Sequence, residues 1–189
     1  MPTLSVYAPV SGQLKSLDCY CNKAGCNSVP PCGPSRCVHT IVGGAGFFGP
    51  IDIGWLTEGT VIYFCRSSGI ASIKIEYINN VCANVGSPWT DGIKVHMYRQ
   101  PNAACYMGTM LYGHLKNRAT YVSNGQIINF PGSWAQAVGQ LPSDCVCGCT
   151  TKIHVHIECN IGSRLSASCG NSVTTSNWIY SWSWNDGWC

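Results

Sequence analysis

His154 and His156 lie in the run KIHVHIE, residues 152–158. Two-residue alternation along an extended strand puts both imidazoles on one face and Ile153, Val155 and Ile157 on the other. Two imidazoles on one face can share a metal ion, or one can hold the metal while its neighbour carries a proton. A pair of solvent-facing strand residues gives the same pattern. The other histidines are His39, His96 and His114, in a chain with only 8 Asp and Glu residues.

The 14 cysteines are a second source of chemistry. Cys19, Cys21, Cys26, Cys32 and Cys37 crowd the first part of the chain, and Cys145, Cys147, Cys149, Cys159 and Cys169 the last, with Cys65, Cys82, Cys105 and Cys189 apart. An even count suits seven disulfides in an oxidising compartment. The alternative is a zinc or iron–sulfur site. Single-residue spacings such as CYC and CVCGC are poor chelates beside the two to four intervening residues of zinc ribbons, so disulfide staples are the expectation.

The elements that must position these groups are strands. No window of a dozen residues sustains the helical i, i+3, i+4, i+7 apolar pattern without a glycine or proline breaking it. Residues 4–8, 59–65, 70–78, 93–99, 109–115, 125–130, 152–159 and 178–184 are short, rich in Val, Ile and Tyr, and bounded by Gly, Pro, Asn or Ser. Such spacing predicts an all-β protein of packed antiparallel sheets, with residues 19–37 as a disulfide-tied loop.

Composition narrows the function. The chain is 46% apolar, only 10% Asp, Glu, Lys or Arg, with a net charge of +3, the opposite of a disordered chain. Its Lys and Arg are scattered and its pI is near 8.2, which argues against nucleic acid as a partner. The uncharged stretch at residues 38–51 carries four glycines and Pro50 and is shorter than the roughly 20 apolar residues of a membrane span. The first twelve residues hold neither a basic segment nor an apolar run of leader type, so no secretory signal is expected in this chain.

The order of motifs adds a resemblance. FGPIDIGWLTEGTVIYF (residues 48–64), MLYGHLKN (110–117) leading into VSNGQIINFPG (122–132), and HVHIE (154–158) resemble the lysostaphin-type zinc endopeptidases of bacterial cell walls. The resemblance covers roughly residues 41–160. It implies the duplicated hybrid motif barrel-sandwich of that family, with residues 1–40 as a first strand and Cys-rich loop of the same domain and residues 161–189 as a Trp-rich extension. It also implies Asp52 and His156 as metal ligands. His114 and His154 would be the catalytic histidines that carry a proton and stabilise the oxyanion beside a zinc-bound water.

One departure outweighs the matches. Four residues before Asp52, where the family has its first zinc-binding histidine, stands Phe48, which has no lone pair. The resemblance then supplies two zinc ligands where catalytic zinc takes three. His39 or a nearby cysteine is the conceivable substitute. A second departure is the segment LPSDCVCGCTTK before the H-x-H strand, where the family has a short Gly, Ser and Thr-rich turn.

In the tail SNWIYSWSWNDGWC, strict alternation groups Trp178, Tyr180, Trp182 and Trp184 into one aromatic face. Three uses are open: packing on the protein's own sheet, anchoring a neighbouring subunit, or stacking sugar rings. The sequence therefore reads as a metal-free relative of wall endopeptidases, with no cofactor. Its expected role is a structural or wall-binding part of an extracellular assembly, with protein subunits, peptidoglycan or another glycan as partners and a phage virion as one setting. The rival reading is an active zinc endopeptidase with a substitute third ligand.

Overall fold

Alternating Val, Ile, Leu and Tyr residues leave one apolar face per strand, and two sheets meeting on those faces bury them. The computed structural model describes residues 1–15, 44–79, 91–142, 153–165, 171–185, 187 and 189. Thirteen strands are present among them: β1 (Thr3–Tyr7), β2 (Gly12–Lys15), β3 (Phe48–Gly54), β4 (Val61–Arg66), β5 (Ser72–Ile78), β6 (Asp91–Gln100), β7 (Ala104–Leu115), β8 (Ile127–Asn129), β9 (Ala135–Gln140), β10 (His154–Cys159), β11 (Ser163–Arg164), β12 (Ser172–Val173) and β13 (Trp178–Ser183). A 3-10 turn lies at Arg118–Thr120.

The strands form a five-stranded sheet, β11-β13-β1-β4-β9, and an eight-stranded sheet, β12-β2-β3-β10-β7-β6-β5-β8. All the recorded pairings between strands are antiparallel. One hydrophobic cluster lies between the sheets: Leu4, Val6, Ile62, Tyr180 and Trp182 from the smaller, Ile53, Ile93, Tyr112, Val155 and Ile157 from the larger. The Tyr180 hydroxyl reaches across to the Ile157 carbonyl at 3.3 Å. The all-β, antiparallel expectation holds, and all eight predicted strand regions contain strands. Five strands were not anticipated: β2, β3, β9, β11 and β12. Of these β3 matters most, because FGPIDIG carries a proline and two glycines that read as loop and yet pairs with β10 along its length.

At the join of β10 and β11 the chain passes close under β13. Gly162 has φ 88°, and a Cβ there would come within 2.8 Å of the Ser181 carbonyl oxygen. Glycine is the residue that meets both demands.

The cysteine expectation needs correction. Cys105 and Cys189 are disulfide-bonded, but Cys65 and Cys159 are free and buried. Cys159 belongs to the hydrophobic cluster between the sheets, and Cys65, opposite Tyr7, is buried on the other face of β4; burial pushes both thiols up to about 12, so they act as small apolar residues. Seven disulfides are thus not formed. The other ten cysteines lie outside the described residues. The Cys105–Cys189 bond closes a loop of sequence separation 84. Replacing Cys189 by serine is expected to lower unfolding free energy by about 2–5 kcal/mol in urea titrations, and an unchanged midpoint would contradict that.

Tyr112 is fully buried, and its hydroxyl has no hydrogen-bond partner among the described residues. Desolvation raises its pKa well above the ordinary phenol value, helped by Cys65 and Cys159. Removing an unsatisfied buried hydroxyl while keeping the ring is neutral or favourable. Tyr112→Phe is therefore expected to match or exceed the parent in thermal midpoint; a loss above about 1 kcal/mol would show that the hydroxyl is paired.

Candidate functional site

Three adjacent strands of the larger sheet bring the predicted site residues together. In the register of β3 with β10, His156 stands opposite Asp52 and His154 opposite Gly54; on the other side of β10, His156 stands opposite Gly113 of β7. Directly paired residues share a face, so Asp52, His154, His156 and Glu158 project together. Ile51, Ile53, Val155 and Ile157 project to the hydrophobic cluster from the opposite face.

His114 joins them through an irregularity. Alternation from Tyr112 would turn it toward the core. The pairing of β6 with β7 passes from Asp91 opposite Leu115 to Ile93 opposite Tyr112, so two steps on β6 meet three on β7, a bulge that takes in Gly113 and His114. His114 has φ 61°, the left-handed region that a residue with a Cβ adopts at a cost. The bulge re-aims the ring across the strand. His114 lies edge-on to His154 with centroids 4.6 Å apart and to His156 at 5.9 Å.

The hydrogen bonds define the cluster. His156 Nδ1 lies 3.0 Å from Asp52 Oδ1, and His156 Nε2 lies 2.7 Å from Glu158 Oε1. His154 Nε2 is 3.6 Å from Asp52 Oδ2. Asp52, Glu158, His154, His156 and His114 are each 4% exposed or less. Burial alone would depress the His156 pKa, but the hydrogen bonds to Asp52 and Glu158, and the charges of both, outweigh it and raise the value to about 9. At neutral pH His156 is an imidazolium that donates one N–H to each carboxylate.

Zinc is the cofactor the resemblance implies. Asp52 and His156 face each other as two ligands would, and Glu158 on the far ring nitrogen is the kind of partner that orients a ligating histidine. The set stops at two. Among the described residues no group of three or more His, Cys, Asp or Glu side chains is arranged to hold a metal ion. The substitutes considered from the sequence, His39 and the clustered cysteines, lie outside the described residues. Position 48 stands opposite Cys159 in the register, and the pairing slips by one residue between there and Ile51. It is thus out of step with Asp52. The described residues do not fit a catalytic zinc.

The Trp-rich strand divides. Tyr180, Trp182 and Trp184 are buried in the protein's own core, whereas Trp178 is exposed. Between Val6 and Tyr7 the pairing of β1 with β13 slips, Val6 meeting Tyr180 and Tyr7 meeting Trp178. The extra residue breaks the alternation and sends Trp178 to the other face. Sequence alternation alone could not show that slip.

A second histidine network escaped the sequence reading. His96 Nε2 lies 2.8 Å from Glu76 Oε2, its Nδ1 2.8 Å from Thr109 Oγ1, and Thr109 Oγ1 2.7 Å from the Tyr106 hydroxyl. The signal available was weak: one histidine in the alternating run IKVHMY, with partners on two other strands.

The geometry defines the class: an all-β protein of two antiparallel sheets with a buried histidine–carboxylate cluster on the larger one. No family model, curated protein or solved structure matches the chain. No helix among the described residues is long and apolar enough to cross a membrane.

Proposed function

We propose that this chain is a hydrolytically silent relative of the lysostaphin-type endopeptidases, in which the histidine–carboxylate cluster braces the larger sheet. Its role would be that of a structural or wall-binding component of an extracellular assembly, a virion among them. One observation carries the reading: His156 is engaged at both ring nitrogens by Asp52 and Glu158 inside a cluster closed to solvent.

A second reading has its own support, because Asp52, His114, His154 and His156 converge from three strands although they are far apart in sequence. That reading is an active zinc endopeptidase with a third ligand from elsewhere in the chain. Metal analysis of the oxidised protein, combined with release of soluble fragments from purified peptidoglycan, separates the two. The silent reading expects well under one zinc per chain and no fragments. One firmly held zinc, with hydrolysis abolished by His114→Ala or His154→Ala, would establish the enzyme instead.

A further inference from the structure

The outer face of the five-stranded sheet, opposite Leu4, Val6 and Trp182, carries an aromatic ridge. Tyr7 of β1 is the cross-strand partner of Trp178 of β13 on one side and of Cys65 of β4 on the other. Tyr63 is two residues from Cys65 and so shares its face. Trp134, just before β9, meets Tyr7 edge to face with ring centroids 6.2 Å apart. Trp178 is 39% exposed, Tyr63 39% and Trp134 48%. Three of the seven large apolar side chains exposed among the described residues therefore gather on one face of one sheet.

On β1 and β13 the other positions of that face bear hydroxyls, of which Ser5 is buried. Ser5 pairs with Ser181 and Thr3 with Ser183. No face position of β13, β1 or β4 is charged: Arg66 and Arg164 stand opposite Val6 and Tyr180, on the other face. A protein partner's site would add Met or Arg anchors and charges complementary to the partner's to set its register. Among the described strand positions this face has no Met, Arg or other ionised group. Flat, half-exposed rings beside neutral hydroxyls match a pyranose, whose C–H faces are apolar and whose rim donates and accepts hydrogen bonds. Neighbouring strands, about 4.8 Å apart, space the rings on the scale of one sugar unit.

We propose that this face binds an uncharged hexopyranose chain. The inference stands on the smaller sheet's own geometry and rests on the wall-binding reading only for the source of that chain.

The test uses the full-length oxidised protein, tryptophan fluorescence titrated with the β-linked N-acetylglucosamine hexamer, and cosedimentation with purified peptidoglycan sacculi. The hexamer is expected to shift the emission. A Trp134→Ala, Trp178→Ala double variant should weaken binding at least tenfold, and Tyr63→Ala should weaken it less. Trp55→Ala, away from this face, should leave it unchanged. All four side chains are exposed, so the variants should keep the parent's unfolding midpoint. No response to the hexamer, or an unaltered response in the double variant, overturns the proposal. So does a dimer that the double variant abolishes without any sugar binding, which would make the face a contact between copies. Sacculi bound equally by parent and double variant would leave wall binding standing and remove this face from it. Hexamer binding through the ridge without sacculus binding would do the reverse.

Discussion

His156→Ala is expected to lower the unfolding free energy by about 3–5 kcal/mol, the cost of removing one partner from a buried ionic group. The deletion leaves Asp52 and Glu158, both fully buried, without the imidazolium that lies within 3.0 Å of each. Neutralising the carboxylates as well, with Asp52→Asn and Glu158→Gln, should recover part of the loss, because the residual cost is uncompensated charge and not missing volume. Urea midpoints of the single and triple variants measure both effects, and a single-variant loss under about 1 kcal/mol would contradict the arrangement.

The same group sets a pH dependence. The folded-state value of about 9 lies above the ordinary 6.5, so the stabilisation is complete below pH 6.5 and disappears as pH rises through 9. At about 1.4 kcal/mol per pH unit between the two values, the loss amounts to about 3 kcal/mol. Asp52, Glu158, His114 and His154 face His156, so the measured curve belongs to the cluster and not to one residue. Stability that stays level from pH 6 to 9.5 in the parent, or that falls equally in His156→Ala, would show that His156 is not the group responsible.

Trp182→Ala is expected to cost about 3–5 kcal/mol, whereas Trp178→Ala should cost under about 1 kcal/mol. The two tryptophans are four residues apart on β13 and by alternation belong to one face. Trp182 stands opposite Leu4 in the core, and the slip beside Tyr7 takes Trp178 out of it. Thermal unfolding of the two variants reads the contrast directly; similar losses would mean that the strand keeps one unbroken aromatic face.

These two cases show where sequence reasoning reaches its limit. Period-two patterns located β1, β4 to β8, β10 and β13, because a strand between water and a core must alternate. They also grouped His154 with His156, which local geometry alone settles. Strand β3 was illegible. Pro50 and the flanking glycines weaken its propensity, and its place beside β10 comes from long-range pairing with a strand about 100 residues later. Free Cys65 and Cys159 were hidden for a related reason, since an even count says nothing about which thiols the sheets enclose.

The sequence by itself determined the all-β class and the shared face of His154 and His156; that Asp52 and His114 belong with them is an expectation of the resemblance. Tertiary structure alone decided that these four converge and that Glu158 completes the hydrogen bonding of His156. It also decided that one bulge turns His114 away from the core face to join the cluster while another turns Trp178 out of the core. Alternation is a property of neighbouring residues along one strand. Bulges and register are properties of two strands at once, fixed by how both bury their apolar faces.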